Sequence, residues 1–276
     1  MIKTADKRRL IIKAIIFVAF LSLFVVFCYW QNNDVVVTHL VYSNAKIPDG
    51  FDGFSILQVS DLHDKGFGDN QSTLVSLTKD ISPDIIVVTG DLIDSNCADI
   101  EAAMEYISQA VLIAPVYFVT GNHEVWSDRY PQLEIELVKC GVIILDDKQI
   151  ILQKGTDEIS LIGICDSDTV SDKSAELINS TDKEFCILLS HRPELMDEYA
   201  QSNADLVFAG HAHGGQFRIP YVMGLFSPDQ GFFPEYTSGI YTSANTTMVV
   251  SRGLGNSVIP IRLFNRPELV EVKLKM

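Results

Sequence analysis

The sequence contains five cysteines but no closely spaced pair of them. The absence of any Cys-x-x-Cys motif argues against a structural zinc site and against a thioredoxin-like redox centre. Cys28 lies in a long apolar run, while Cys165 and Cys186 lie in short ones, so we expect these thiols to be buried. A disulfide within the set Cys97, Cys140, Cys165 and Cys186 stays open as an alternative if the chain faces an oxidising compartment.

Basic clusters are also absent after residue 13. The formal net charge is −15, and the first thirty residues contribute +4 from five basic residues and one acid, so residues 31–276 carry −19. Such an acidic surface repels polyanions at long range, and a nucleic-acid binder would need a basic patch that the sequence does not provide. We therefore expect no nucleic-acid partner.

Repeats of fixed period and low-complexity tracts are lacking as well, which excludes a repeat array. With 47% hydrophobic residues, a chain of 276 residues suits one large folded domain with an appendage. No internal stretch has the composition of a linker. We therefore predict an N-terminal appendage of residues 1–34 and a single domain of residues 35–276.

The appendage contains one long hydrophobic run. Residues 14–30 carry no charge, and with the apolar residues before Lys13 they reach the roughly 20 residues that span a bilayer as a helix. A cleaved secretory signal would need small residues at its cleavage site, which Phe27–Trp30 does not offer. Because the basic residues precede the run, we predict a single-pass anchor in the cell membrane with a cytoplasmic N-terminus and an extracytoplasmic domain. Arg8 and Arg9 are similar to a twin-arginine export signal, although ordinary topogenic charges explain them equally well.

Five short apolar runs in the rest of the chain have the pattern of buried strands, and each ends in a polar cluster. They cover residues 54–60, 84–90, 115–121, 185–191 and 205–211. Helical patterns follow the first three, at about residues 71–79, 100–113 and 129–139. This alternation predicts a partly parallel sheet. Because sites in such sheets form beyond the carboxyl ends of the strands, we expect the polar clusters to meet at one edge.

The polar clusters contain five of the six histidines of the chain. The candidate metal ligands are Asp61, His63, Asp91, Asn122, His191, His211 and His213, with His123 beside them. Imidazole nitrogen and carboxylate oxygen together favour zinc, iron or manganese over an all-oxygen calcium or magnesium site. Seven ligands are too many for one ion, whereas two divalent ions that share one carboxylate would use all of them. The sixth histidine, His39, lies in an alternating strand pattern and has no predicted role.

In order, the polar clusters resemble the five motif blocks of the calcineurin-like metallophosphoesterase superfamily. The matching segments are Asp61-Leu62-His63, Gly90-Asp91-Leu92-Ile93-Asp94, Gly121-Asn122-His123-Glu124, His191 and Gly210-His211-Ala212-His213. One such block would be weak, but five in order are specific. The resemblance covers about residues 35–276 and favours a bacterial branch with an N-terminal membrane anchor. It implies an α/β fold, a four-layer αββα sandwich of two mixed sheets, preceded by one transmembrane helix.

The resemblance also implies a role for each residue of these blocks. One ion would be bound by Asp61, His63 and His213, the other by Asn122, His191 and His211, and both by Asp91. His123 would stabilise the charge of the transition state or protonate the leaving oxygen. Asp94 and Glu124 would accept hydrogen bonds that orient ligand histidines, with a helix cap or a surface carboxylate as the alternative.

These features predict a membrane-anchored hydrolase that uses two divalent ions to cleave a phosphoester or pyrophosphate bond. The aromatic residues of the C-terminal stretch could receive an amphiphilic phosphate, although aromatic residues beside turns usually pack on the core. These aromatic residues are Phe226, Phe232, Phe233, Tyr236 and Tyr241. Arg218, Arg252 and Asn256 are candidate contacts for the substrate phosphate, with surface ion pairing as the alternative.

Similarity to this branch suggests phospholipid-type substrates, and its relatives include UDP-2,3-diacylglucosamine pyrophosphatases of lipid metabolism. A nucleotide-linked lipid precursor is expected in the cytoplasm, however, which conflicts with an extracytoplasmic domain. A lipid-linked phosphate or a small phosphodiester outside the cell would agree with the predicted orientation. Two other functions stay open, a nuclease of the same superfamily and a non-catalytic, metal-stabilised interaction domain at the membrane.

Overall fold

Two sheets packed face to face form the centre of this computed structural model, and helices cover their outer faces. The structure describes residues 4–96, 99–219, 223–256 and 260–276. The helices are α1 (Thr4–Asn33), α2 (Ser72–Ile81), α3 (Glu101–Ala110), α4 (Asn122–Trp126), α5 (Tyr130–Cys140), α6 (Asp172–Asn179) and α7 (Met196–Tyr199). The strands are β1 (Val36–Ser43), β2 (Ser55–Val59), β3 (Ile85–Thr89), β4 (Val116–Val119), β5 (Ile143–Ile144), β6 (Lys148–Lys154), β7 (Asp157–Gly163), β8 (Cys186–Leu189), β9 (Leu206–Ala209), β10 (Arg218–Ile219), β11 (Met223–Gly224), β12 (Phe226–Ser227), β13 (Gly231–Phe232), β14 (Gly239–Ser243), β15 (Thr246–Val250) and β16 (Glu268–Lys275).

The order and direction of the strands place the carboxyl ends of the central strands side by side in each sheet. The first sheet has the order β1-β16-β2-β3-β4-β5 and the second β14-β15-β9-β8-β7-β6. Strands β2 to β5 are parallel to one another, and so are β7, β8, β9 and β15. The last strand, β16, lies between β1 and β2 and is antiparallel to β2. The carboxyl ends of the central strands therefore lie along one edge of each sheet.

Three apolar layers hold this arrangement together. The layer between the sheets joins Ile56 and Val87 of the first sheet to Ile187 and Phe208 of the second. A second layer packs the first sheet against α2, α3 and α5, and a third packs the second sheet against α6 and α7. Because both faces of each sheet are covered, the central strands are continuous apolar runs rather than alternating ones. The predicted αββα architecture is confirmed.

The helices lie where the 3.6-residue periodicity predicts them. The patterns over 71–79, 100–113 and 129–139 correspond to α2, α3 and α5. Helix α5 has a proline in its first turn, where the missing N–H costs no hydrogen bond, and ends at Gly141, whose φ of 93° suits glycine. Its buried residues, Leu133 and Leu137, are four apart and face the first sheet. The amphipathic pattern thus determines which face of each helix packs on the sheets.

Helix α1 differs from the others because its apolar side chains are exposed. Its segment Lys7–Asn33 contains 27 residues and is long and apolar enough to cross a membrane. Phe17, Phe20 and Leu23 are each more than 60% exposed. A helix with apolar residues all round requires an apolar environment, and a bilayer provides one.

The cysteines differ in part from the expectation. Cys186 is buried, but Cys28, Cys140 and Cys165 are only half-buried, and among the described residues these four are free thiols. Cys97 lies outside the described residues. Cys165 is half-buried because the strand before it, β7, has already ended at Gly163.

Candidate metal centre

The predicted ligands follow the carboxyl ends of five strands and meet between the two sheets. Asp61 and His63 follow β2, Asp91 follows β3, and Asn122 follows β4 in the first sheet. In the second sheet His191 follows β8, and the pair His211 and His213 follows β9. All seven side chains are buried. Convergence of strand ends from two sheets therefore assembles a set of polar groups that are distant in sequence.

Five of these seven residues have a left-handed backbone. The φ angles are 53° at Asp61, 46° at His63, 54° at Asp91, 63° at His211 and 45° at His213. Side chains make this conformation unfavourable, and it persists only where the surrounding structure enforces it. Strained residues cluster at functional sites in general, so their concentration here marks this edge as a candidate site.

The ligand atoms form two groups. In the first group, atoms of Asp61, His63, Asp91 and His213 lie within 4.8 Å of one another. The Nε2 atoms of His63 and His213 are 3.2 Å apart, and His63 Nε2 is 3.5 Å from Asp91 Oδ2. The distance from His213 Nε2 to Asp61 Oδ1 is also 3.5 Å.

The second group contains Asp91, His191 and His211, again within 4.8 Å. His191 Nε2 is 3.1 Å from Asp91 Oδ2, from Asn122 Oδ1 and from His211 Nδ1. The amide oxygen of Asn122 therefore joins this group. Asp91 Oδ2 belongs to both groups, because it lies within 3.5 Å of an imidazole nitrogen of each.

Unsatisfied polar atoms show that this site suits cations. Asp61 Oδ2 and Asp91 Oδ2 are buried without a hydrogen-bond partner among the described residues. Leaving such atoms unpaired costs free energy, which a bound divalent ion would offset. The set of imidazole nitrogens with carboxylate and amide oxygens is a good donor set for zinc, iron or manganese. The residues present therefore fit two divalent ions, one in each group.

Two glycines make the close approach of these atoms sterically feasible. A Cβ atom on Gly210 would lie 2.5 Å from Asp61 Oδ2, and one on Gly121 would lie 2.3 Å from Asp91 Oδ1. Both contacts are far shorter than real Cβ atoms show. The glycines of the motif blocks therefore leave room for the carboxylates.

Burial and neighbouring charges shift the pKa values of the histidines that are predicted to bind metal. Burial lowers the pKa of His63, and it lowers that of His213 well below the ordinary value. Both rings are therefore neutral near pH 7, which is the form that binds metal ions. Burial also opposes the charges of Asp91 and His191, but their mutual attraction outweighs it, so the pKa of Asp91 is well below and that of His191 well above its usual range. A cation in the second group would take the place of the His191 proton.

Of the roles considered for Glu124, its hydrogen bonds correspond to the helix cap. Its carboxylate accepts hydrogen bonds from the backbone N–H groups of Asp91 at 2.7 Å, Gly121 at 2.8 Å and Ile93 at 3.2 Å. None of its described hydrogen bonds involves a ligand histidine. The reason is its position in the first turn of α4, where its side chain points back to the two neighbouring strand ends. Glu124 therefore holds the backbone on which Asp91 lies.

Replacement of Glu124 by glutamine is expected to destabilise the metal-free protein by about 1–3 kcal/mol, because one of its two acceptor oxygens becomes an NH2 group that faces a backbone donor. Thermal unfolding of the two forms measures the effect. Glu136→Gln on the surface of α5 is the control, since Glu136 pairs only with Lys139 of the same helix. Equal unfolding temperatures for Glu124→Gln and the unchanged protein would contradict this role.

His123 lies beside the two groups and is partly exposed. Its Nδ1 atom accepts a hydrogen bond of 2.9 Å from the Ser95 N–H, so the neutral ring carries its proton on Nε2. Its ring packs edge-on against His63, with centroids 4.5 Å apart. A cavity of about 140 Å³ lies in front of these rings. It is lined by Asp91, Asn122, His123, Trp126, His211, His213, Pro228 and Asp229.

Asp94 lies near the histidines without bonding to them. Its Oδ2 atom is 3.8 Å from His63 Nδ1 and 3.7 Å from His123 Nδ1, beyond hydrogen-bond distance. Together the three side chains form a further group within 4.8 Å. Its role in orienting a histidine stays a prediction.

The three predicted phosphate contacts do not line the cavity. Arg218 donates to the carbonyl of Gly214 at 2.8 Å, and Arg252 forms an ion pair of 2.8 Å with Glu268. The alternative interpretation, ion pairing, therefore applies to Arg252, whose partner Glu268 belongs to β16 of the first sheet. Asn256 is half-buried, and its Oδ1 atom has no hydrogen-bond partner among the described residues. The geometry therefore gives no support to a phosphate contact by either arginine.

Asp229 and Arg192 were not predicted, yet they contact the site directly. Asp229 Oδ2 accepts from His211 Nε2 at 3.0 Å and from Arg192 Nη1 at 2.9 Å. Arg192 is buried and held by two further bonds, of 2.7 and 3.0 Å, to Asp166. By accepting from Nε2, Asp229 leaves His211 Nδ1 free to face the second group. Arg192 directly follows a predicted ligand, but no spacing pattern connects it with Asp229.

Comparison with known proteins agrees with this geometry. The calcineurin-like phosphoesterase family matches residues 54–215, which include all seven ligands. An uncharacterized metallophosphoesterase of Bacillus subtilis, YkuE, is 27% identical over 260 residues, covering 90% of this chain and 88% of its own. A transmembrane protein with a metallophosphoesterase domain from Danio rerio is 30% identical over 248 residues, covering 83% of this chain and 55% of its own.

Among solved structures, the sulfate thiohydrolase SoxB of Thermus thermophilus has the same fold, with a TM-score of 0.51 and 12% identity over 75% of this chain and 53% of that one. This comparison adds a likeness of fold to the likeness of sequence. With its five motif blocks gathered at one buried edge whose residues fit cations, the chain belongs to the calcineurin-like phosphoesterase family, a family of hydrolases that typically use a dinuclear metal centre.

Proposed function

We propose that this protein is a membrane-anchored phosphohydrolase that cleaves a phosphoester or pyrophosphate bond with two divalent ions. The observation that carries the proposal is the position of Asp91 Oδ2, which approaches His63 at 3.5 Å in one group and His191 at 3.1 Å in the other. One ion is held by Asp61, His63 and His213, the other by Asn122, His191 and His211, and both by Asp91. Manganese, iron and zinc are the ions that suit these donors.

Each part of the site has a place in this function. When bound, the two ions supply the positive charge that neutralises phosphate oxygens and activates water for attack on phosphorus. The Nε2–H of His123 donates to the substrate and assists departure of the leaving oxygen. Asp229 orients His211, and Glu124 holds the backbone of Asp91. The chain's own residues thus bind the ions, orient the ligands and move one proton.

The size of the cavity limits what it can enclose. A volume of about 140 Å³ is smaller than the roughly 300–1,000 Å³ of sites that enclose a whole ligand. The cavity accommodates the reacting phosphate, and the rest of the substrate lies on the surface outside it. Trp126 at the rim is 63% exposed, and Phe232, on the strand that follows the Pro228–Asp229 turn, is 77% exposed. An exposed tryptophan at the rim favours an amphiphilic substrate, and Phe232 would extend this apolar surface beyond the residues that line the cavity.

The proposed anchor is consistent with a lipid-linked substrate. In this proposal residues 1–34 form a cytoplasmic N-terminus and a membrane-spanning helix, and residues 35–276 form a catalytic domain outside the cytoplasm. A lipid-linked phosphate or a small phosphodiester is then available to the site. Hydrolysis of UDP-2,3-diacylglucosamine is a narrower form of the proposal and requires the opposite orientation, with the domain in the cytoplasm.

A substrate screen tests the proposal. We expect the full chain, purified in detergent without oxygen and loaded with Mn²⁺, to hydrolyse a chromogenic phosphodiester and a lipid pyrophosphate. Plasmid DNA should be cleaved at least tenfold more slowly, because the surface of residues 31–276 repels polyanions. Faster cleavage of DNA would support the nuclease alternative. Inactivity on every phosphate compound with two ions bound would support a non-catalytic interaction domain.

A further inference from the structure

The last turn of α1 contacts the catalytic domain through Gln31 and Asn32, unlike the apolar part of the same helix, which is exposed. Gln31 is 4% exposed, and its Oε1 atom accepts a hydrogen bond of 3.2 Å from the Asn265 N–H. Asn32 Oδ1 accepts one of 3.1 Å from the Arg262 N–H, and the Asn32 carbonyl accepts another from Lys65 Nζ. The turn is therefore docked by three hydrogen bonds to two separate loops.

One of these loops supports His213. Asn265 is fully buried, and its Nδ2 atom donates to the carbonyl of His213 at 2.7 Å and to that of Gln216 at 3.1 Å. His213 needs such support because its φ of 45° is unfavourable for a side chain. The path from α1 to this ligand thus consists of two residues, Gln31 and Asn265.

The other loop supports His63. Lys65 lies two residues after this ligand, and its N–H closes a turn onto the Leu62 carbonyl at 3.0 Å. Arg262 adds a second connection, because its Nε atom donates to the carbonyl of Gly255 at 2.9 Å. A Cβ atom on Gly255 would lie 2.8 Å from His63 Cβ, so the two backbones are in close contact.

Both loops support histidines of the same proposed ion. Among the hydrogen bonds of residues 4–96, 99–219, 223–256 and 260–276, none joins Gln31, Asn32 or Asn265 to a ligand of the second group, Asn122, His191 or His211. The contacts of the turn are therefore unequally distributed between the two groups of ligands. A support of this kind should affect one ion and leave the other unchanged.

We propose that Gln31 and Asn32 are positioning residues for the ion held by Asp61, His63 and His213. The helix that anchors the chain is then also a part of the metal centre and not only a tether. Loss of its last turn would release the two loops and weaken binding of this ion. The inference rests on the proposed two-ion function and adds that occupancy of one site depends on the anchor.

The test compares variants of the full chain in detergent. Gln31→Leu combined with Asn32→Leu removes both side-chain acceptors at similar volume. Asn33→Leu is the matched control, because Asn33 is exposed and, among the described residues, its Nδ2 atom donates to the carbonyl of Tyr29 in the same helix and to no other segment. Asn32→Asp keeps an acceptor oxygen for the Arg262 N–H and serves as the conservative rescue. Mn²⁺ content is measured at graded free Mn²⁺ concentrations set by a chelator, together with the unfolding temperature of each metal-free form.

We expect the double variant to need about 10–100-fold more free Mn²⁺ to retain one of its two ions, while the other binds as before. Asn33→Leu and Asn32→Asp should match the unchanged protein in metal affinity and in unfolding temperature. The metal-free double variant should unfold at a lower temperature, because the buried Asn265 N–H loses its acceptor. Should the double variant fail to fold, Gln31→Leu alone is titrated, with a shift in the same direction expected.

Unchanged affinity for both ions would overturn the inference. So would equal weakening of both ions with a lower unfolding temperature, since that result indicates a general role in folding. An unchanged protein that binds fewer than two ions would contradict the proposed function itself, which separates the two failures.

Discussion

Replacement of Asp91 by asparagine is expected to abolish tight binding of both ions and to lower kcat/KM by on the order of 10⁴-fold or more, the scale seen for residues that act as one catalytic unit. Through one atom, Oδ2, Asp91 approaches imidazole nitrogens of both groups. Asparagine would place a neutral oxygen or an N–H group there. Either atom removes the negative charge that two cations would share.

The effect of Asp91→Asn should appear first in metal content. Fewer than one tightly held ion per chain is expected after dialysis against a chelator, and activity should return only in part at high Mn²⁺. Asp80→Asn, which changes an exposed carboxylate of α2, is the control and should retain both ions. Two tightly bound ions in Asp91→Asn, with more than a tenth of the activity, would contradict a shared carboxylate.

Replacement of His123 by alanine is expected to lower kcat by about 10²–10⁴-fold while both ions remain bound. The Ser95 N–H already occupies Nδ1, so the ring presents its Nε2 proton to the substrate. The substitution removes that donor and leaves all seven proposed ligands in the chain. Metal analysis and steady-state kinetics on the same preparation measure the two properties together. His39→Ala, on the exposed side of β1, removes a histidine far from the site in sequence and should change neither.

The leaving group distinguishes two ways in which His123 could act. If it protonates the leaving oxygen, His123→Ala should lose much less activity on an ester of p-nitrophenol than on an ester of an alcohol, because p-nitrophenolate departs without a proton. Equal losses on both substrates would instead indicate that His123 stabilises the transition-state charge. Loss of an ion from His123→Ala would show that the residue is a ligand and would contradict its assignment as a proton donor.

Much of the architecture could be predicted from the sequence because local patterns determine it. The apolar run at 84–90 is β3, and the polar residue directly after it, Asp91, lies at the edge where parallel strands end. The order of strands could not be predicted in this way. Strand β16 lies between β1 and β2, and its place depends on contacts across more than 200 residues. Hydrophobic patterns contain no information about such pairing.

The candidate site also contains residues that could be predicted from local patterns and residues that could not. The ligand residues could be named because each occurs in a short block after a strand. Glu124 belongs to such a block, yet its partners are backbone N–H groups, which have no signature in sequence. Asp229 and Gln31 lie outside every block, and their partners, His211 and Asn265, are contacts that only folding creates. Side chains that support ligands were therefore harder to predict than the ligands themselves.

Some aromatic residues of the C-terminal stretch pack on the core, and others are available to contact a substrate. Tyr236 and Tyr241 pack against each other and on the core of the second sheet, as aromatic residues beside turns usually do. Phe232 and Phe233 are instead 77% and 66% exposed. Only the latter pair is available to an amphiphilic substrate, so the proposed apolar rim is smaller than the sequence pattern indicates.

In the proposed centre two ions are bound together through Asp91. Electron paramagnetic resonance of the Mn²⁺-loaded protein tests this arrangement most directly. Two Mn²⁺ ions that share a carboxylate at roughly 3.5–4 Å are magnetically coupled. We predict two ions per chain and the multiline spectrum of a coupled pair at low temperature. Two ions per chain that give only the six-line spectrum of isolated Mn²⁺ would contradict the shared ligand, and with it the proposed centre.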